Sequence, residues 1–208
     1  LGVNTVTPLD AMASSALVIA QVNPQMPYTF GAAEIERDEV DLFVDVDHSL
    51  VEFPAITPDE TTRQVGANVA RLVANGSMLQ LGLGALPDVV CAELANHRDL
   101  GIHSGMVSDG LIGLHASGAL TGSKHPDFPG KIVTAMVGGT RPLLDFVDRN
   151  TDIVMVPPTI THGFAAIGRL DRFTAINSAI EVALDGSINS ERVGDRVISG
   201  PGGSPDYA

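Results

Sequence analysis

The sequence is poor in several features that define large protein classes. It contains one cysteine, Cys91, which excludes an internal disulfide framework and favours a reducing cytoplasm as the compartment. Cys91 lies within an apolar helical pattern, where a buried inert thiol is more common than a nucleophile. The strongly apolar runs, such as residues 16–22 and 153–158, are far shorter than the roughly 20 residues of a membrane span. No membrane partner is therefore expected.

Basic residues are also scarce. Twelve Lys and Arg stand against 25 Asp and Glu, and the formal net charge is −13. Nucleic-acid binding requires clustered basic side chains, so the charge argues against that class of partner. The hydrophobic content of 44% and the charged content of 18% are typical of a soluble globular protein. A chain of 208 residues can bury one core or hold parts of two domains.

Motifs for metal binding and for serine hydrolysis are missing as well. The two groups that invite a metal interpretation are Asp45 with Asp47 and His48, and His103 with Ser104 and Asp109. Neither shows a known ligand spacing, so loop and capping roles are favoured and no metal is expected. No nucleophile-elbow motif is present, since Met106 occupies the first glycine position before Ser108.

Short β-branched runs alternate with amphipathic helical patterns along the chain, which predicts an α/β protein with a mostly parallel sheet and flanking helices. The predicted strands cover residues 16–22, 40–46, 78–83, 131–137, 153–156 and 173–184, the first of them buried. Asp185 and Gly186 predict a hairpin turn at the end of the last strand. Proline in the stretch 51–57 favours a domain boundary there.

The clearest helix signal follows that stretch. Thr57 is predicted as the N-cap, Pro58 as the first helical residue and Glu60 as the partner in a capping box. Apolar residues then follow at helical spacing until Gly76. A second helix is predicted after Gly84, and a third over residues 140–147.

Glu181 is the strongest local anomaly, because it lies in a segment otherwise dominated by Ala, Ile and Val. A carboxylate in a buried strand costs several kcal/mol unless it is paired or functional. Two interpretations compete on these grounds. Glu181 lies either on the solvent face of an edge strand, or where few waters compete with substrate, as a carboxylate nucleophile.

Two glycine-rich turns form the second feature. One contains Gly82 and Gly84, and the other contains Gly200, Gly202 and Gly203. Such turns let a ligand approach the backbone and leave N–H groups free for an oxyanion or a phosphate. Ordinary tight turns remain an equal alternative for each. The dinucleotide-binding fingerprint fails because Pro87 occupies its third glycine position, which disfavours a nucleotide-dependent oxidoreductase.

Several segments together resemble the acetyl-CoA hydrolase and 4-hydroxybutyrate CoA-transferase branch of the class I CoA transferases. They are VIAQVNPQMPYTFG (residues 18–31), LQLGLGALPDVV (79–90), DLGIHSGMVSDG (99–110), PGKIVTAMVGGT (129–140), AINSAIEVALDG (175–186) and ISGPGGSPDYA (198–208). They occur in the order typical of the family and cover nearly the whole chain.

The resemblance implies a fold of the NagB, RpiA and CoA-transferase type and assigns roles to individual residues. Glu181 matches the family nucleophile, which attacks an acyl-CoA to give an acyl-glutamyl anhydride and free CoA thiolate. The thiolate then forms a glutamyl-CoA thioester, from which an acceptor carboxylate takes the CoA, or water hydrolyses the intermediate. Residues matched to the acyl-CoA site are Gly82, Gly84, Thr161, His162, Gly200, Gly202 and Gly203.

The chain departs from the family pattern in three respects. Gly105 and Ser204 stand where the family commonly has Glu and Gln, and the Asn-bearing pattern near Thr161 is absent. Family members are also longer, with two similar α/β halves. Residues 1–56 are therefore expected to end an N-terminal domain, and residues 57–208 to begin a C-terminal domain with the catalytic glutamate.

A homodimer is a further expectation, and coenzyme A is expected as substrate. The rival hypothesis is a non-catalytic truncated protein of this fold, or an acyl-CoA binding module.

Overall fold

A computed structural model describes residues 1–200 and 202–207. Its centre is a five-stranded sheet in which every pairing is parallel, with the order β6-β5-β4-β3-β7. The strands of the described residues, β1 to β11 in chain order, are Ile19–Val22, Leu42–Asp45, Met78–Leu81, Gly101–Ser104, Ile132–Thr134, Ile153–Met155, Phe173–Ile176, Glu181–Val182, Ile188–Asn189, Arg192–Val193 and Arg196–Val197. The predicted α/β class with a mostly parallel sheet is confirmed.

Helices connect and cover these strands. The α-helices α1 to α7 are Pro8–Ser14, Glu60–Ala70, Ala85–Glu93, Gly110–Ala116, Arg141–Val147, Pro158–Thr161 and Phe164–Ile167, and 3₁₀ turns occupy Arg37–Glu39, Leu94–Asn96 and Ser204–Tyr207. Helix α3 packs against both α2 and α4. The buried core joins strand residues such as Leu79 and Ile102 to helix residues such as Val90 and Leu143. This apolar contact supplies most of the driving force for the layered fold.

The start of α2 differs from the prediction. The helix begins at Glu60, and the N-cap is Asp59, whose carboxylate accepts a hydrogen bond from the Thr62 backbone N–H at 2.7 Å. Thr57 and Pro58 therefore lie outside the helix. Asp and Thr are both favoured N-caps, but only Asp59 has its side chain within reach of the free N–H groups of the first turn.

Two predicted strands also differ in detail. The run 16–22 forms only β1, which pairs with β2 in a separate two-stranded parallel sheet and is mostly exposed, so the predicted burial is wrong. The run 173–184 is interrupted, because β7 ends at Ile176 and β8 begins at Glu181. The hairpin prediction is confirmed: β8 pairs antiparallel with β9 around Gly186, whose φ is 88°.

The strand order places one reversal within the central sheet. From β3 the chain moves outwards through β4, β5 and β6, and then returns to add β7 on the opposite side of β3. The loops after β3 and β7 thus leave from neighbouring strand ends at this reversal. Such a switch point leaves a crevice beyond the carboxyl ends of the strands, which is the usual ligand site of an open α/β sheet.

The first residues of the chain are attached to this sheet. The buried hydroxyl of Thr5 donates to the backbone carbonyls of Ala135 and Val156, at 2.9 and 2.8 Å. Residues 1–5 thus contact the loops that follow β5 and β6. Among the described residues, no helix is long and apolar enough to cross a membrane.

Candidate functional site

The loop after β3 lies at the switch point of the sheet. The Gly82 N–H donates to the carbonyl of Ile176, the last residue of β7, at 3.2 Å. A Cβ at Gly82 would be 3.8 Å from the Asn177 side chain, so the two loops are in van der Waals range. Gly84 ends the loop as the N-cap of α3, with φ 111° and ψ −174°. That backbone conformation is accessible essentially to glycine alone.

A reciprocal pair of amides ties the two loops together. Gln80 in β3 donates to the Asn177 carbonyl oxygen at 3.0 Å, and Asn177 donates back to the Gln80 oxygen at 2.7 Å. Gln80 is buried, with 4% of its surface exposed, so its amide depends on this partner. The pair fixes the start of the segment that leads from β7 to Glu181.

Glu181 opens the hairpin strand β8, and its side chain is exposed. Its Oε2 accepts a hydrogen bond from Nδ2 of Asn189, at 2.9 Å. The same Asn189 nitrogen donates to the Arg192 carbonyl, and its Oδ1 accepts from the Glu191 and Arg192 N–H groups. Glu181 is therefore exposed to solvent, as expected for a carboxylate on the solvent face of an edge strand.

A third loop, after β4, meets the segment that contains Thr161 and His162. Thr161 ends α6, is fully buried, and forms a 2.8 Å hydrogen bond between its hydroxyl and His162 Nδ1. A Cβ at Gly105 would lie 2.5 Å from Cε1 of His162, and one at Gly203 would lie 2.6 Å from its Nε2. The imidazole therefore occupies the space between the two glycines. In this arrangement a side chain at position 105 would displace it.

Tyr207 completes this cluster. Its ring lies 4.8 Å from the His162 ring and 6.1 Å from that of Phe173, measured between centroids. Its hydroxyl is buried without a hydrogen-bond partner among the described residues, and burial raises its pKa to about 12. Burial also lowers the pKa of His162, although Asp206 opposes the shift. His162 is thus favoured as a neutral ring at neutral pH.

Apart from Glu181 in the hairpin, the predicted site residues fall into three groups. Gly82 and Gly84 share the switch-point loop, and Thr161, His162 and Gly203 meet around the His162 ring. Gly200 and Gly202 are exposed, and a Cβ at either would meet open space, while Pro201 between them lies outside the described residues.

Sequence reasoning did not predict the contacts of three residues next to the site, Gln80, Asn177 and Tyr207. Their roles depend on contacts between residues far apart in the chain. A polar Gln80 within the apolar run 78–83 was the one available signal.

Groups of three or more His, Cys, Asp or Glu side chains able to hold a metal ion do not occur within residues 1–200 and 202–207. Backbone N–H groups, the neutral imidazole and the exposed carboxylate are therefore the chemical groups that these loops offer. An exposed carboxylate can act as a nucleophile, and free N–H groups can stabilise a developing oxyanion. Together they define an open α/β protein whose loops carry an exposed carboxylate, a neutral imidazole and glycine-rich turns.

Comparison with known proteins agrees with this class. A family model described as the acetyl-CoA hydrolase/transferase C-terminal domain matches residues 139–208. The 4-hydroxybutyrate coenzyme A transferase of Clostridium kluyveri is 38% identical over 197 residues, which is 95% of this chain and 46% of that enzyme. A succinyl-CoA:cyclohexane-1-carboxylate CoA transferase of Geobacter metallireducens is 38% identical over 201 residues, 96% of this chain and 46% of the relative.

Solved structures show the same fold. The crystal structure of RipA from Yersinia pestis superposes with a TM-score of 0.88 at 30% identity, covering 91% of this chain and 44% of RipA. The chain belongs to the acetyl-CoA hydrolase and CoA-transferase family. It spans about half the length of the curated relatives that it matches.

Proposed function

We propose that the protein takes part in CoA transfer between an acyl-CoA and a carboxylic acid, or in hydrolysis of a short acyl-CoA, with Glu181 as the nucleophile. The observation that carries the proposal is the switch point, where the Gly82 loop contacts the segment that leads to Glu181. Membership of a family whose relatives are named CoA transferases supports the substrate class.

In the proposed reaction, the Glu181 carboxylate attacks the thioester carbonyl and the carbon–sulfur bond breaks, giving a mixed anhydride and CoA thiolate. The thiolate then attacks the glutamyl carbonyl and releases the first carboxylate, which leaves Glu181 bonded to CoA. An acceptor carboxylate reverses these two steps and regenerates Glu181. Asn189 orients the attacking carboxylate by donating to Oε2, which leaves Oε1 for attack.

The remaining site residues have proposed binding roles. The Gly82 N–H is bonded to Ile176, so the oxyanion that develops at each attack would be met by the N–H groups of Leu83 and Gly84 and of the glycines 200, 202 and 203. Thr161 and His162 line the acyl-CoA site beside Gly203. Neutral His162 can donate or accept a hydrogen bond there without adding charge.

We also propose a domain division between residues 56 and 57, a homodimer and a cytoplasmic location. The contacts of Thr5 with the sheet show that part of the 1–56 segment packs on the 57–208 segment. The single cysteine supports a reducing compartment.

Trapping of the covalent intermediate tests the function. The protein is incubated with acetyl-CoA and treated with borohydride, which reduces a glutamyl-CoA thioester to the alcohol and releases CoA. Peptide mass spectrometry should find the change at Glu181. The variant Glu181→Gln should lose it, while the control Glu191→Gln, with a nearby carboxylate outside β8, should retain it.

Asn189→Ala should reduce the labelled fraction at Glu181, because the carboxylate loses its donor. Ser187→Ala is the matched control, since the Ser187 hydroxyl bonds to Asp185 within its own turn and does not contact Glu181 through a hydrogen bond. An unlabelled Glu181 in folded protein would favour the rival hypothesis of a non-catalytic protein or binding module. Retained acetyl-CoA binding without labelling would identify the binding module in particular.

A further inference from the structure

Two buried histidines lie next to the turn that contains Thr161 and His162. His103, in β4, has 1% of its surface exposed, and His125, in the loop before β5, has 2%. Nδ1 of His103 is 3.0 Å from Nε2 of His125, so the two rings share a hydrogen bond. Most of the buried residues around the sheet are apolar, so a buried imidazole pair is unusual there.

The partners at each end determine where the protons lie. Nδ1 of His125 receives the backbone N–H of Phe128 at 3.1 Å and that of Asp127 at 3.3 Å, so this nitrogen carries no proton. The proton of His125 is then on Nε2, and it is donated to Nδ1 of His103. His103 in turn carries its proton on Nε2 and donates it to the Ile160 carbonyl at 3.1 Å. All four ring nitrogens are satisfied when both rings are neutral.

The chain of hydrogen bonds ends at the Ile160 carbonyl, next to Thr161 and His162 of the candidate site. Ile160 lies in the four-residue helix α6, whose last carbonyls lack partners within the helix. His103 supplies a donor to one of them, directly before Thr161 and His162. The buried Thr161 hydroxyl then fixes the His162 ring. The position of His162 between Gly105 and Gly203 thus depends on the two histidines behind it.

An additional proton has no acceptor in this arrangement. On His125 it would place an N–H against the N–H groups of Phe128 and Asp127. On His103 it would place an N–H against the N–H of His125. In a buried site each such clash costs at least one hydrogen bond and leaves a charge without solvent.

Some charged groups around the pair raise the pKa of a histidine, and others lower it. Asp127 favours protonation, but it forms a 2.7 Å ion pair with Arg169, which disfavours protonation of His125. His162 disfavours protonation of His103. Burial is the largest influence on both rings and lowers the pKa of each.

We propose that His103 and His125, as two neutral rings, are positioning residues that hold the 158–162 turn where it binds acyl-CoA. Protonation of His103 at Nδ1 breaks its hydrogen bond with His125, and protonation of His125 at Nδ1 breaks those from Phe128 and Asp127, so either one weakens the support of the turn. The acyl-CoA part of this inference rests on the proposed function, whereas the proton positions and the restraint on the turn do not.

Nitrogen-15 NMR of the histidine rings tests the proton positions in the unmodified protein. At pH 7.5 both buried rings should be neutral with the proton on Nε2. A proton on Nδ1 of either ring, or a charged ring at that pH, would overturn the proposal. This measurement needs no variant, so it remains decisive even if substitutions at 103 prevent folding.

Amide hydrogen exchange tests the restraint on the turn. The Thr161 and His162 amides donate to Pro157 and Pro158. His103→Leu should speed their exchange about tenfold, the effect of one lost hydrogen bond. His103→Gln should largely restore slow exchange, because its amide can donate to the Ile160 carbonyl.

His115→Leu is the matched control, since the partly buried His115 side chain contacts Asp152 and Phe146 and should leave the 158–162 turn unchanged. Equal exchange in folded His103→Leu and in the unmodified protein would contradict the proposal.

Titration with acetyl-CoA separates the inference from the function on which it rests. The Thr161 and His162 amide signals should shift in the unmodified protein and shift less in His103→Leu. Equal shifts in both proteins would overturn the positioning role. If the amide signals shift in neither protein, the turn does not bind acyl-CoA, and the proposed function of this turn is overturned. The proton positions are tested by the nitrogen-15 data alone.

Discussion

Gln80 and Asn177 exchange two side-chain hydrogen bonds, of 3.0 and 2.7 Å, across the junction of β3 and β7. The junction is the reversal point of the central sheet, so this pair joins the two loops that lead into the candidate site. A buried amide paired to a residue 97 positions away constrains the fold as well as the site.

Asn177→Ala should lower the free energy of unfolding by about 1–3 kcal/mol, because the buried Gln80 amide then has no partner. Urea denaturation monitored by circular dichroism measures the change. Ser178→Ala is the control at the next, exposed position. An equal loss of stability in both variants would contradict a specific role for the pair.

Gly84→Ala should lower the free energy of unfolding by about 1–3 kcal/mol through backbone strain alone. A Cβ at Gly84 would meet open space, so its φ of 111° is the whole cause. Gly82→Ala is the matched control, since its φ is outside the positive region and its new contacts would be an ordinary 3.8 Å. That variant should change stability by less than about 0.5 kcal/mol. Indistinguishable thermal denaturation of the two variants would show that strain at Gly84 is negligible.

Acid should destabilise the protein through the buried histidine pair. Burial, and secondarily the neighbouring His103, lowers the pKa of His125 to about 4, while an unfolded histidine has a pKa near 6.5. The unfolded chain therefore takes up the proton first as pH falls. The free energy of unfolding should fall between about pH 6.5 and pH 4, by on the order of 3 kcal/mol from this ring.

Urea denaturation at a series of pH values measures this slope. His125→Gln, which can donate to His103 but does not titrate, should flatten it. Carboxylates such as Asp59, whose pKa is lowered from 3.8 chiefly by the Thr62 hydroxyl, lose their contribution only at lower pH. A slope unchanged by His125→Gln would assign the acid sensitivity to other groups.

Cys91 should be inert in the folded protein. The side chain is 1% exposed, and burial, with a smaller contribution from Asp88, raises the pKa of the thiol to about 12. At pH 8 its reaction with a thiol-specific disulfide reagent should be at least about a thousandfold slower than in urea. Comparable rates in the native and unfolded states would show that the helix α3 region opens readily.

The sequence was sufficient where a structural signal is local. The apolar runs identified the central strands β3, β5, β6 and β7 and the helix after Gly84, and Asp185 with Gly186 identified the hairpin, but β4 was not predicted. It failed where two neighbouring residues competed for one role, as with Thr57 and Asp59 at the start of α2. It also failed for residues 16–22, whose apolar character fits a core strand but whose strand β1 pairs in an outlying exposed sheet. Burial is set by what packs against a strand, and composition does not contain that information.

For the candidate site, the ordered motifs indicated Glu181 and the Gly82 loop as parts of one family pattern, and the resemblance extended to Thr161 and His162 although the usual pattern there is absent. The resemblance implies this much because it rests on short segments, in which the residue type of a carboxylate and the conformations of glycine are local properties. Only the tertiary structure decided that Gln80 meets Asn177, that His162 fills the space beside Gly105 and Gly203, and that His103 and His125 support it from behind. Those relationships join residues far apart in the chain, and the topology of the sheet alone brings them within hydrogen-bonding distance.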